Sequence, residues 1–122
     1  MSKQTTITIS DISKWSRPLE PASYFTHVPA YIGYISLARK KGKLESLSVN
    51  DKSVILIFSS RKYFATVADA MLALNLNVTW KFMTKQTRLV SSKKLFILTL
   101  NVLADDKQSQ TAKQQIAHYF VN

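Results

Sequence analysis

The hydrophobic positions of this chain change period several times, and each change marks an element. Ser10-Asp11-Ile12-Ser13-Lys14-Trp15 sets a capping residue before apolar positions three apart, which predicts a short helix that Pro18 and Pro21 bring to an end. Ser23 to Val28 predicts a short strand, and Pro29 stands where the first turn of a helix tolerates it. Tyr31, Ile35 and Ala38, with Ile32 and Tyr34 beside them, recur at helical spacing as far as Arg39-Lys40-Lys41. Gly42 then ends the helix, with cations in its last turn where the dipole favours them.

Leu44, Leu47 and Val49 begin an extended segment, Asn50-Asp51 supplies turn chemistry, and Val54 to Phe58 reads as a buried strand, so a hairpin is expected. Tyr63 to Leu74 places Phe64, Val67, Ala68, Met71 and Leu74 on one helical face. Val78, Trp80 and Phe82 alternate with Thr79, Lys81 and Met83, which predicts a half-buried strand, and Thr84 to Arg88 reads as a polar turn. Leu95 to Leu103 is the other long β-prone run. After Asp105-Asp106 a polar tract precedes Ile116 to Val121, and periodicity leaves this end open between a helix and a turn followed by a strand. The pattern predicts an α+β protein: an N-terminal helix-strand-helix-hairpin lobe over residues 1–60 and a mostly β C-terminal lobe over residues 61–122, with a helix near 63–74.

With 122 residues the chain fits one domain or two small lobes sharing a core, and 46% hydrophobic residues predict a packed interior. Charge sharpens the picture. Seventeen Lys and Arg stand against seven Asp and Glu, for a net +10, and such an excess on a small body attracts polyanions through phosphate contacts and counterion release. Nucleic acid is therefore the first candidate partner. A membrane partner is not expected, since neither a basic amphipathic helix nor a long apolar span is visible. The segment after Met1 has no apolar signal core and no Arg-rich amphipathic pattern, so the protein is expected to be made where it works or to have lost a targeting segment.

Candidate chemistry is sparse. The chain has no cysteine, which excludes disulfides and thiolate metal sites, and its only glycines, Gly33 and Gly42, form no phosphate-cradling loop. His27 and His118 belong to no spaced ligand pair or evident triad, and Asp105-Asp106 reads as a solvated turn or helix start rather than a metal site. No catalytic residue, metal, cofactor or small-molecule substrate is expected. The cations cluster instead, as Arg39 to Lys43, Arg61-Lys62, and the lysines and arginine between Lys81 and Lys94. Any one cluster reads as a solvated face, but three with few neighbouring acids point to phosphate binding. Trp80, Phe82, Tyr31 and Tyr34 sit at apolar spacing, so core packing is expected of them before base stacking.

In segment order the chain resembles the universal small-subunit ribosomal protein number eight, a primary binder of small-subunit ribosomal RNA. Ile9 to Arg17 stands in place of that family's opening D-x-L-x-R-I-R-N helix, and Leu37-Ala38-Arg39-Lys40-Lys41-Gly42-Lys43-Leu44 resembles its L-K-K-E-G-[FY]-I helix end. Glu45 to Lys52 and Val54 to Phe58 resemble its hairpin. Met83 to Val90 resembles a remnant of the I-S-K-P-G-x-R-x-Y turn, which carries over Lys85 and Arg88 but not the Pro, Gly or Tyr. Thr99-Leu100-Asn101 corresponds to the S-T-S-x-G loop that grips RNA, keeping a hydroxyl at Thr99 and a polar group at Asn101. The closing G-G-E strand would fall at Lys113-Gln114-Gln115, without either glycine.

The resemblance implies RNA contacts by Lys40, Lys41, Lys85, Arg88, Thr99 and Asn101, with small-subunit ribosomal RNA and neighbouring ribosomal proteins as partners. The helix near 63–74 is an addition to that pattern. Lost glycines and an insertion imply the ribosome of an organelle, mitochondrial before plastid. Two other readings stand beside it: a basic nucleic-acid module of Alba-like type, and a mobile-element or phage protein that binds another protein and uses its charge for solubility.

Overall fold

The computed structural model describes residues 6–16, 28–86 and 92–121. Helix α1, Ile9–Trp15, starts at Thr8 rather than at the expected Ser10, because Thr8 and Asp11 satisfy each other's backbone. The Thr8 hydroxyl accepts from Asp11 N at 3.1 Å, and the Asp11 carboxylate accepts from Thr8 N at 3.0 Å. The Thr8 backbone N–H, foremost, and then the Thr8 hydroxyl favour the charged Asp11 carboxylate and hold it below its ordinary pKa. Helix α2, Ala30–Lys40, follows Pro29 and ends at Gly42, whose φ of 70° lets Lys43 N donate to Ala38 O at 2.8 Å. Of the strand expected over Ser23 to Val28, residues 23–27 lie outside the described residues and Val28 forms a bend.

Strands β1, Leu44–Val49, and β2, Ser53–Phe58, form the expected hairpin, closed by Asn50 N donating to Ser53 O at 2.8 Å. Ser60 caps helix α3, Arg61–Ala73, which ends with Asn75 at a φ of 58°. Strand β3, Val78–Gln86, strand β4, Ser92–Asn101, and helix α4, Lys107–Phe120, follow among the described residues.

The strands make one antiparallel sheet in the order β1-β2-β4-β3. Register explains its two faces, because side chains alternate across a strand. Rungs such as Leu47, Leu56, Leu98 and Trp80 are apolar throughout and point toward the helices, whereas the intervening rungs mix Ser46, Ile57, Ile97 and Lys81. Helix α3 lies on the apolar side against β2, β4 and β3, and α1 and α2 pack on α3. Phe58, Phe64, Leu56, Leu98 and Met71 are fully buried at the centre.

The α+β class expected from the sequence is the class of the molecule, with four helices and a four-stranded sheet among the described residues. Strands from residues 1–60 and 61–122 share that sheet, and the later half holds two helices beside its two strands. Strand β3 takes in the first three residues of the turn expected over Thr84 to Arg88, because Thr84, Lys85 and Gln86 continue the ladder opposite Lys94, Lys93 and Ser92, and residues 87 and 88 lie outside the described residues. The last segment resolves to a helix, not to a closing strand at Lys113-Gln114-Gln115. Asp106 caps it, and Ser109, Ala112 and Ile116 form its buried stripe. No helix among the described residues is long and apolar enough to cross a membrane.

Candidate nucleic-acid interface

The topology brings the three cation clusters to one end of the sheet. In this antiparallel arrangement β1 and β4 begin, and β2 and β3 finish, at the same edge, marked by the rung Leu44, Phe58, Phe96 and Phe82. Lys40, Lys41 and Lys43 precede β1, Arg61 and Lys62 follow β2, and Lys85 stands opposite Lys93 where β3 and β4 meet. Ser59 N donates to Lys43 O at 2.9 Å and ties the first cluster to the second. All these cations are exposed. Among the described residues at this edge the one carboxylate is Glu45, at a register shift in β1, and it forms an ion pair with Lys93.

Most of these cations are not occupied by the fold. Lys93 has Glu45, and the Arg61 guanidinium lies over the Trp15 ring at 4.8 Å. Arg39, on the last turn of α2, lies 5.9 Å from the Phe120 ring centroid. Lys43, Lys62, Lys85 and Lys94 make no side-chain hydrogen bond or ion pair to any described residue. Lysine heads without protein partners are hydrated, and a phosphate can replace that water without breaking a bond the fold needs.

The face of the sheet away from the helices continues from this edge. It carries Lys81, Lys85 and Lys93 on one side, Ile55, Ile57, Leu95 and Ile97 at its middle, and Thr79, Thr99 and Asn101 toward the far edge. Thr99 and Asn101 therefore lie in the central strand rather than in a loop. Leu98 and Leu100, fully buried between and beside them, keep β4 continuous through this segment. Thr99 lies six positions along β4 from Lys93, roughly 20 Å at strand spacing. Asn101 is spent locally, its Nδ2 donating to Thr79 Oγ1 at 3.2 Å and to Asn77 Oδ1 at 3.5 Å.

Of the residues singled out from sequence, the structure thus gathers Lys40, Lys41 and Lys85 at one edge and sets Thr99 and Asn101 at the other. Arg88 lies outside the described residues. Lys43, Lys62 and Lys94 join the gathered set although none was singled out, and the signal for them was membership of a cation cluster. Trp80 packs as expected, with Nε1 donating to Ile7 O at 2.7 Å. His118 is exposed on α4 with its ring edge-on to Tyr119, and His27 lies outside the described residues. Among the described residues no group of three His, Asp or Glu side chains is placed to hold a metal ion. No protein-family model, curated protein or solved structure matches the chain.

Proposed function

We propose that this protein is a non-catalytic RNA-binding protein whose basic sheet edge grips the phosphates of a folded RNA. The observation that carries the reading is the convergence of three separate cation clusters on one edge with Glu45 as their only described counter-charge. A-form RNA hides its base edges in a deep narrow groove, so a protein of this kind holds phosphates, 2′-hydroxyls and overall shape. Lys40, Lys41, Lys43, Lys62 and Lys85 supply affinity, and the hydroxyl-bearing part of the open face, with Thr99, supplies directional contacts farther along the same duplex.

The partner we propose is small-subunit ribosomal RNA, in a mitochondrial ribosome where neighbouring proteins cover other surfaces. That narrower assignment rests on the resemblance of residues 9–58 in segment order. Helix α4 and the strand position of Thr99 depart from the resembled family, so the later half adds nothing to it. Phosphate gripping rests on the charge geometry and stands apart from the family.

Binding of a structured ribosomal RNA fragment, titrated between 50 and 200 mM salt, tests the reading. About five phosphate contacts imply a log-log slope near roughly −4, and so a loss of affinity of a few hundred-fold across that range. Reversing charge with Lys43→Glu and Lys85→Glu together should lower the slope magnitude by about two. A salt-independent affinity, or an unchanged slope in the double variant, overturns the proposal. Duplex DNA preferred over RNA would favour the Alba-like reading, and loss of co-sedimentation with ribosomal particles in high-salt gradients would remove the ribosomal partner.

A further inference from the structure

A cavity of about 420 Å³ opens at the basic edge, between α1, the start of α3 and the β3–β4 pair. That is within the roughly 300–1,000 Å³ of small-ligand sites. Phe82 and Phe96 form its floor, with ring centroids 5.5 Å apart and planes at 54°. Trp15 stands at one wall with the Arg61 guanidinium over its ring at 4.8 Å. Lys94 and Ser59 complete the lining, and no carboxylate of the described residues lines it. Flat apolar surfaces below two cations match a planar ring that carries an anion at its edge.

We infer that this cavity receives a single unpaired nucleotide of the bound RNA, its base against Phe82 and the Trp15–Arg61 pair and its phosphate between Arg61 and Lys94. The inference rests on the reading of the basic edge as an RNA grip and adds a feature of the target, a bulged or looped-out base. Aromatic rings and guanidinium planes both stack on unpaired bases, and neither needs a particular base identity. An aliphatic anion would leave the aromatic walls unused, and a fully paired duplex could offer the cavity only its backbone.

Two RNA hairpins with the same stem test it, one fully paired and one with a single bulged 2-aminopurine. The bulged hairpin should bind at least about five-fold tighter, as expected for stacking of one base, and its 2-aminopurine emission should fall on binding. Lys94→Ala and Arg61→Ala, both at exposed positions, should each reduce the preference, while Lys62→Ala outside the cavity should weaken both hairpins alike. A 4-thiouridine at the bulge should cross-link to peptides carrying Trp15 or Phe82, a readout that needs no variant. Equal affinity with unchanged emission, or cross-links confined to other peptides, overturns the cavity assignment and leaves the phosphate grip standing. Failure of both hairpins to bind overturns the two together.

Discussion

The two edges of the sheet are built on opposite principles. Beneath the basic edge the rings of Phe58, Phe64, Phe96 and Phe82 pack together, with Phe64 stacked on Phe96 at 5.4 Å, and several lysines outside them, Lys43, Lys62, Lys85 and Lys94, are left without a described protein partner. At the far edge several polar side chains are consumed by the fold. Ser109 Oγ donates to Asp106 at 2.7 Å and accepts from Asn77 N at 3.3 Å, Lys113 Nζ donates to Asp51 O at 2.6 Å, and Gln110 Nε2 bonds the Ala104 carbonyl at 2.7 Å. Where stability comes from apolar packing, surface charge is free for a ligand. Where it comes from directional polar bonds, the same residue types close the fold.

The strongest break of this comparison removes the packing below the free charges. Phe64→Ala empties a fully buried ring position in the aromatic cluster and should cost about 3–5 kcal/mol, read as a lower denaturant midpoint. A loss below 1 kcal/mol would mean that the basic edge is not held from beneath. The next largest effect is on binding. Lys43→Glu with Lys85→Glu should weaken RNA binding on the order of 10-fold or more at 0.1 M salt, while Lys52→Glu with Lys107→Glu at the far edge should change it less than about two-fold. Equal losses from the two pairs would spread the interface over the whole surface and end the distinction between the edges.

Much of this was legible in the sequence where the cause is local. Gly42 stops α2 because only the left-handed backbone closes that cap, and the alternation through Val78 to Phe82 names a strand without help from elsewhere. The convergence of Arg39 to Lys43 with Arg61, Lys62 and Lys94 was not legible, since it depends on the β1-β2-β4-β3 order, a set of non-local pairings that no periodicity encodes. Periodicity leaves helix α4 open because two of the three residues in its buried stripe, Ser109 and Ala112, are small, and with Ile116 they give a faint hydrophobic signal inside a polar run. The resemblance set Thr99 and Asn101 against a loop, whereas the β-prone run Leu95 to Leu103 already placed them in a strand, beside Leu98 and Leu100 of the core. The cavity was not legible because Trp15 and Phe82 come from elements distant in sequence and line one space only through the packing of α1 on α3 and of α3 against β3.

A smaller test concerns the polar closure at the far edge. Ser109→Ala leaves the Asn77 N–H without its described acceptor in a part-buried setting and should cost about 1–3 kcal/mol, with RNA binding unchanged at temperatures where the protein is folded. Bonds from the Ser109 hydroxyl, foremost, and the Ser109 backbone hold the Asp106 carboxyl below its ordinary pKa of 3.8. The folded state therefore binds that proton less readily than the unfolded chain. Its contribution is fully present above the unfolded value and is lost as pH falls through the lower folded value. Thermal melts from pH 5 to pH 2.5 should fall less steeply for Asp106→Asn than for the parent. Parallel curves would remove this cap from the account of acid stability.

The smallest expected effect sharpens the comparison from the other side. Glu45 is the single described carboxylate at the basic edge, and its ion pair occupies Lys93, one of the cations facing the open sheet. The pair is solvent-exposed, so it contributes at most about 1 kcal/mol to folding, and Glu45→Gln should leave the denaturant midpoint nearly unchanged. Freed of its partner, Lys93 becomes available for a phosphate, which should tighten RNA binding by about two- to five-fold and add nearly one unit to the magnitude of the salt slope. Isothermal titration at two salt concentrations reads both quantities. Weaker binding in Glu45→Gln would assign the carboxylate a positioning role, holding Lys93 toward the ligand rather than competing with it, and the far edge would then not be the only place where polar bonds do the ordering.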